Sequence, residues 1–171
     1  MNIKGENFLV TEPYILNKNY LTAKEVIWED VIQKISDSHD QGVELNSTTG
    51  PLTVIFDKRG PHWPPSFLCE NFKHPPTLQK VYDEVEKDFE IQDMHVYSSF
   101  AKDSGNFEKH EDEIDVLIVQ SIGTMSYIIE GINDIVVLNP GEGVFIPKFT
   151  NHQPIVHGPR VTISFGIKDK K

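Results

Sequence analysis

The sequence predicts a mainly β protein whose helices are confined to its first half. After Ile91, short runs rich in β-branched and aromatic residues recur at close intervals, separated by Gly, Asn, Asp and Pro, which is typical of strands joined by turns. Before Ile91, two segments instead repeat apolar residues at intervals of three and four, as amphipathic helices do. A succession of antiparallel strands forms a sandwich or a barrel.

The two helices are predicted from their start signals and their apolar spacing. Residues 22–38 form the first, because Thr22 and Glu25 have the spacing of a capping box and apolar residues follow at helical intervals. The second is predicted within residues 75–90, where prolines precede the first turn. The opposite face of this second segment is charged, so we expect it to face solvent.

One strand, Leu52–Phe56, is predicted between the helices. The Pro- and Gly-rich stretch KRGPHWPP that follows is either a rim of a binding site or a plain connection. The later strands are predicted at MHVYSSF, IDVLIVQ, TMSYIIEG, DIVVL, GVFIP and RVTISFGI. Both faces of IDVLIVQ are apolar, which indicates a strand that is covered on both sides.

The composition limits the classes of function. A chain of 171 residues, 38% of them hydrophobic, suits one domain with its own core. A formal net charge of −10 disfavours a nucleic acid or an anionic membrane as partner. The single cysteine, Cys69, forms no internal disulfide, and we recognise neither a secretory leader nor an apolar run near the ~18 residues that cross a bilayer. We expect a cytoplasmic protein of one domain (1–171), with two outer helices and strands in residues 1–90 and barrel strands with the functional site in residues 91–171.

Titratable residues are concentrated in NFEKHEDEID, directly before an apolar run. His110 and Asp112 would project from the same face of a strand, and His152, near the end of a later strand, is a candidate third ligand. Two imidazoles and one carboxylate can occupy one face of a metal's octahedron and leave positions open, as in non-haem Fe(II) oxygenases. The alternative is a solvated acidic turn, which is common in a chain of this charge.

These segments resemble the metal-binding strands of the JmjC and cupin-like 2-oxoglutarate oxygenases. The stretch LNPGEGVFIPKFTNHQPIVHGPRVTISFGI is similar to the family's later motif, and EPYILNKNYL is similar to its N-terminal strand. The earlier motif is a Gly, an aromatic residue, His-x-Asp, an apolar strand, Gln and Gly, which here are Gly105, Phe107, His110, Asp112, Gln120 and Gly123. The resemblance spans nearly the whole chain.

The resemblance implies a fold, a cofactor and a reaction. The fold would be a distorted double-stranded β-helix, a jelly-roll or cupin barrel of two antiparallel sheets with the N-terminal helices packed outside one of them. His110, Asp112 and His152 would bind Fe(II), with 2-oxoglutarate as the cosubstrate of a dioxygenase that hydroxylates a protein side chain or a small molecule. Members of the family often dimerise, so the resemblance also admits a homodimer.

One position departs from the family pattern. Members that use 2-oxoglutarate carry Lys or Arg at the position of Met125, and a thioether cannot make a charge-assisted hydrogen bond to a carboxylate. The pair Arg160-x-Thr162 resembles the arrangement with which other branches bind that carboxylate, and a guanidinium suits a planar carboxylate well. Ser164 matches a position that lines the family's cosubstrate pocket. The further candidates by strand parity or placement are Tyr97 and Tyr127.

Met125 leaves a second function open. A cupin-like protein could keep the metal site, or only the fold, and serve as a ligand-binding or structural module without 2-oxoglutarate chemistry. The intact spacing of His110, Asp112 and His152 favours the oxygenase.

Overall fold

The computed structural model describes residues 12–16, 18–47, 50–60, 62–70 and 73–168. The α-helices of these ranges are α1 (Trp28–His39) and α2 (Pro76–Val85), and a 3₁₀ helix covers Thr22–Glu25. The strands are β1 (Tyr14–Ile15), β2 (Val43–Leu45), β3 (Leu52–Ile55), β4 (Ser66–Cys69), β5 (Ile91–Ser99), β6 (Asp115–Ile122), β7 (Met125–Ile129), β8 (Val136–Leu138), β9 (Gly143–Ile146), β10 (His152–Val156) and β11 (Arg160–Ile167). Helices long and apolar enough to cross a membrane do not occur in the described ranges.

The strands form two sheets. The larger sheet has the order β1-β9-β6-β11-β5-β4-β3-β2, in which only the β2–β3 pair is parallel. The smaller sheet has the order β10-β7-β8 and is antiparallel throughout. The N-terminal strand expected within EPYILNKNYL is present as β1, which pairs with β9, whereas residue 17 of that stretch lies outside the described residues.

Strand β6 explains why both faces of IDVLIVQ are apolar. Its Leu117 and Val119 belong to a cluster that includes residues of α1, α2 and the 3₁₀ helix. Its Val116 and Ile118 belong to a second cluster, shared with β7, β8, β9 and β10 between the two sheets. Successive residues of a strand face opposite sides, so one strand contributes to both cores. The prediction of a mainly β barrel with helices outside one sheet is confirmed.

The prediction of a single helix over residues 22–38 is wrong. The 3₁₀ helix ends at Glu25, Val26 and Ile27 are extended, and α1 begins at Trp28. The expected capping box is also absent from Thr22, whose hydroxyl and backbone N–H both donate to the Glu84 carboxylate of α2. A tertiary contact therefore uses the hydroxyl that would have capped a longer helix.

Three strands were not predicted, namely β2, β4 and β10. Strand β4 lies in the stretch that follows the prolines of KRGPHWPP, and β10 contains Pro154, which argues against a central strand. Pro154 is accommodated because β10 is an edge strand of the smaller sheet. The predicted strand Leu52–Phe56 ends one residue earlier, at Ile55.

Buried polar residues lie beside α1. The Lys34 ammonium, fully buried, donates to the Lys73 carbonyl at 3.0 Å and contacts Nδ1 of His74 at 3.3 Å. Burial lowers the pKa of Lys34 to about 8 and the pKa of His74 to about 4. Cys69 is free and buried, as the sequence indicated, and burial raises the pKa of its thiol to about 11.

We expect His74 to make the fold sensitive to acid. Its pKa of about 4 in the folded chain lies below the ordinary 6.5, so the unfolded chain binds more protons between these values. The free energy of unfolding should therefore fall, by about 2 kcal/mol, as the pH is lowered from 6.5 to 4.5. His74→Asn, which keeps an acceptor near Nδ1, should lose most of this dependence in urea unfolding at the two pH values. His39→Asn, at an exposed position, is the control, and an equal dependence in wild type and His74→Asn would contradict the prediction.

Candidate metal centre and cavity

A cavity of about 110 Å³ lies between the two sheets. One wall consists of inward-facing residues of β5, β6 and β11, and His110, Asp112 and His152 lie on the other side. One water molecule needs roughly 10–15 Å³, so the cavity has room for a small organic molecule. All eight site residues expected from the sequence line this cavity: His110, Asp112, His152, Arg160, Thr162, Ser164, Tyr97 and Tyr127.

A backbone bridge brings the two histidines together. The N–H of His110 donates to the carbonyl of His152 at 3.0 Å, and the N–H of His152 donates back at 2.8 Å. His110 thereby adds one antiparallel bridge to the free edge of β10. The two imidazole centroids are 4.4 Å apart.

Asp112 is held by the turn that precedes His152. Its carbonyl accepts the N–H of Phe149 at 2.8 Å, and Phe149 has a φ of 61°. The neighbouring Asp115 accepts the N–H of Lys148 at 2.9 Å, so this carboxylate holds the turn and is not one of the converging side chains. The expectation that strand alternation aligns His110 with Asp112 is wrong, because β6 begins only at Asp115. The bridge and the turn contacts align them instead.

The three side chains form a compact donor set. Their ligand atoms all lie within 4.8 Å of one another, and Nε2 of His152 is 3.6 Å from Oδ2 of Asp112. His152 is 4% exposed, while the side chain of Asp112 is 37% exposed, so the set joins the interior to the surface. Within the described part of the chain, no other cluster of His, Cys, Asp or Glu side chains has this geometry.

The histidine hydrogen bonds select the tautomer that a metal requires. Nδ1 of His110 is 2.7 Å from the Glu108 carbonyl, and Nδ1 of His152 is 3.0 Å from the Thr150 carbonyl. A carbonyl can only accept, so each Nδ1 carries the proton and each Nε2 keeps its lone pair. Burial and the neighbouring His110 also lower the pKa of His152, which favours the neutral, metal-binding imidazole. Two such nitrogens and one carboxylate fit a divalent metal ion.

Arg160 is a buried cation on the opposite wall. It is 2% exposed, its Cζ lies 5.8 Å from the ring centroid of Tyr97, and it makes no ion pair with a described residue. Its Nε also lacks a hydrogen-bond partner in the described ranges. Burial lowers its pKa, and the two tyrosines Tyr97 and Tyr127 offset this in part. Arg160 is therefore not solvated, although it is the first residue of β11.

The other expected cavity residues are polar and mostly buried. Thr162 donates to Oε1 of Gln120 at 2.7 Å, and Ser164 lies two residues further along the same face of β11. Burial raises the pKa of Tyr127 to about 12 and raises that of Tyr97 as well. His95 also lines the cavity, although it is not among the site residues expected from the sequence. Its parity with Tyr97 on β5 was the available signal.

Met125 does not line the cavity. It is fully buried in the apolar cluster between the sheets. The turn before it passes close to Arg160, because a Cβ at Gly123, which has a φ of 70°, would lie 3.4 Å from the Arg160 Cα. Met125, which lacks the charge expected from the family pattern, therefore follows a turn that packs on the backbone of Arg160.

The KRGPHWPP loop borders the segment that leads to His110. The N–H of Gly105 donates to the Pro64 carbonyl at 2.8 Å, and Arg59 donates to the Asp103 carbonyl at 3.3 Å. The Arg59 guanidinium also lies 3.6 Å from the ring centroid of Trp63. Residue 61 of this loop lies outside the described residues.

Several solved structures of one oxygenase have a similar fold. A structure of YcfD, a ribosomal oxygenase from Escherichia coli, aligns over 93% of this chain and 48% of its own with 19% identity and a TM-score of 0.60. YcfD in complex with cobalt and 2-oxoglutarate aligns over 62% and 32% with 24% identity and a TM-score of 0.50. YcfD with cobalt and succinic acid aligns over 67% and 34% with 23% identity and a TM-score of 0.52.

The chain thus spans about a third to a half of the length of these structures. No protein-family model and no curated protein sequence matches it. Identities of 19–24% establish a common architecture, which agrees with the two-sheet barrel described above. The chain therefore has the JmjC/cupin-like fold that its sequence predicted.

Proposed function

We propose that the protein is an Fe(II)- and 2-oxoglutarate-dependent oxygenase of the JmjC/cupin type. The observation that carries the proposal is the donor set of His110, Asp112 and His152, with both Nε2 atoms available, across one cavity from the buried Arg160. Similarity in fold to YcfD, which has been solved with cobalt and 2-oxoglutarate, supports it as an analogy.

The charges of the cavity suit this pair of ligands. The charges of a divalent metal and a dianionic cosubstrate sum to zero, and so do those of the Asp112 carboxylate and the Arg160 guanidinium. The buried guanidinium would then bind the distal carboxylate of 2-oxoglutarate, which removes the cost of an unpaired buried charge. When bound, Fe(II) with 2-oxoglutarate and oxygen supplies the oxidising chemistry that hydroxylates a C–H bond.

The chain's own residues orient the metal ligands and exclude water from the cavity wall. The Glu108 and Thr150 carbonyls keep each Nδ1 protonated, so both imidazoles would hold the metal through Nε2. Asn106 donates to the Pro154 carbonyl at 2.6 Å and fixes the segment before His110 against β10. The apolar side chains of β6 exclude water from the interior wall.

We propose a protein side chain as the first substrate class to test, with a small molecule as the alternative, because YcfD is described as a ribosomal oxygenase. The net charge of −10 favours a neutral or basic target. We expect the protein to act in the cytoplasm, since its only cysteine is a free thiol.

A second candidate function is a metal-binding cupin-like protein without 2-oxoglutarate chemistry. Met125, at the position where the family carries Lys or Arg, favours it. The two candidates differ in one measurable property. Only the oxygenase forms a chelate between the bound metal and the 2-keto acid.

The donor set is tested by anaerobic titration of the apoprotein with Fe(II) and then 2-oxoglutarate. We expect the weak visible charge-transfer band of this chelate in wild type. His110→Ala and His152→Ala should lower Fe(II) affinity more than about 100-fold, because each removes a ligand. His39→Ala, at an exposed helix end, is the matched control. Fe(II) binding without the band would favour the second candidate, and unchanged affinity in both variants would remove these residues from the site.

The role of Arg160 is tested by moving the charge. Arg160→Met should weaken 2-oxoglutarate binding about 10- to 100-fold, because a charge-assisted hydrogen bond contributes about 1.5–3 kcal/mol, while Fe(II) affinity stays unchanged. Adding Met125→Lys should restore part of the affinity, because the turn before Met125 approaches Arg160.

The control for this experiment is Arg59→Met, which removes an exposed arginine that is paired with Asp57. Calorimetry of the cosubstrate in the presence of Mn(II) measures all four proteins. Equal affinity in wild type and Arg160→Met would exclude Arg160 from the cosubstrate site.

A further inference from the structure

The cavity has two ends of opposite charge. Arg160 lies at one end, beside the turn that contains Gly123. Asp93 lies at the other end, because its partner in the β5–β11 ladder is Gly166, six residues along β11 from Arg160. At about 3.3 Å per residue, the two backbone positions are roughly 20 Å apart. Neither the metal donor set nor the expected cosubstrate residues include Asp93.

The metal donor set lies at the same end of the cavity as Asp93. On β6, Val116 pairs with Gly166, and Asp112 precedes Val116 by four residues. On β10, His152 pairs with the last residue of β7, at the end of that strand remote from the β6–β7 turn. A ligand group held by Asp93 would therefore lie beside the metal and away from the anion-binding end.

The backbone of β11 positions the Asp93 carboxylate. Its Oδ1 accepts the N–H of Gly166 at 3.2 Å. The ladder is irregular here, because the next residue of β11, Ile167, pairs with Ile91 and skips one residue of β5. Such a bulge redirects a side chain. Gly166 also leaves the space that the carboxylate occupies, since a Cβ there would lie 2.5 Å from Oδ1 of Asp93 and 2.5 Å from Cδ1 of Ile114.

The Asp93 carboxylate makes no ion pair with a described residue. It is half-buried and lines the cavity, and only one of its oxygens accepts the Gly166 N–H, so the other can accept a hydrogen bond from a ligand. His95 and Ile114 border the same end, and the rings of His95 and Tyr97 are in contact, with centroids 6.5 Å apart. These side chains suit the apolar stem of a ligand whose charged head reaches Asp93.

We propose that Asp93 binds a cationic group of the primary substrate and thereby selects an organic cation. The cavity then takes an anion at Arg160 and a cation at Asp93, with the metal beside the cation. A half-buried carboxylate without a cationic partner carries a desolvation cost, which such a ligand offsets. The inference deepens the proposed function and rests on it, because the substrate is the molecule that would be oxidised at that metal.

The test measures the binding of n-butylammonium, a cation with an apolar stem, to the metal-free protein by NMR titration. The neutral probe is n-butanol, which has the same stem without the charge. Asp93→Asn removes the charge but keeps an oxygen that can accept the Gly166 N–H. We expect n-butylammonium affinity to fall about tenfold in this variant, because a charge-assisted hydrogen bond is lost, while n-butanol affinity stays unchanged.

Three variants separate Asp93 from the other acidic groups of the chain. Asp134→Asn, at an exposed position, makes the same change in net charge, and Asp112→Asn alters the metal donor set; both should bind n-butylammonium as wild type does. Asp93→Glu, which keeps the charge, should bind it more tightly than Asp93→Asn does. An equal fall in any control, a parallel fall for n-butanol, or no n-butylammonium binding by wild type would overturn the inference.

The Fe(II) chelate band separates this inference from the proposed function. Asp93→Asn should form the band as wild type does, because Asp93 belongs neither to the metal donor set nor to the cosubstrate end of the cavity. A band without Asp93-dependent cation binding would contradict the inference alone. Asp93-dependent cation binding without the band would contradict the oxygenase alone.

Discussion

The backbone bridge between His110 and His152 is the constraint on which the site depends. It joins two segments that are 42 residues apart in sequence by a reciprocal pair of hydrogen bonds, at 3.0 and 2.8 Å. Since the bridge fixes both backbones, the two imidazoles meet without either lying within a long strand. Gly105, in the segment that leads to His110, packs closely on β3: a Cβ there would lie 2.2 Å from the Ile55 carbonyl, so only glycine allows this approach.

Burial determines which polar residues of the cavity need a hydrogen-bond partner. Buried groups need partners, and Gln120, Thr162 and both histidines have them within the described chain. Arg160 is the exception, because it is buried without an ion pair to a described residue. An unpaired buried charge is costly for folding, and the anionic cosubstrate of the proposed function would remove this cost. The same reasoning explains why the interior wall formed by β6 is apolar, since that wall needs no partner.

Met125 and Arg160 lie on different sheets, since β7 belongs to the smaller sheet and β11 to the larger one. Met125 packs into the apolar interior cluster, where a cation would be unfavourable without an anion beside it. Arg160 enters from β11, near the turn that contains Gly123. Of the two residues, only Arg160 lines the cavity.

The fold class and the metal donor set were accessible from the sequence because both depend on local patterns. Alternating and continuous apolar runs identified most strands, and His110, Asp112 and His152 stood out by residue type and spacing. Strand β2 has only three residues in a polar stretch, β4 follows the prolines of KRGPHWPP, and β10 contains a proline that its edge position tolerates. The break in the first helix was missed because Thr22 binds Glu84, which is 62 residues away.

The sequence by itself determined which chemical groups are available, namely two imidazoles, a carboxylate, a guanidinium and two phenols for one barrel. The tertiary structure alone decided their states. It assigned the Nδ1–H tautomer to both histidines, buried Arg160 without an acidic partner among the described residues, and directed the Thr162 proton toward Gln120. The physical reason is that protonation and hydrogen-bond direction depend on burial and on partners from distant segments, and neither is encoded by local spacing.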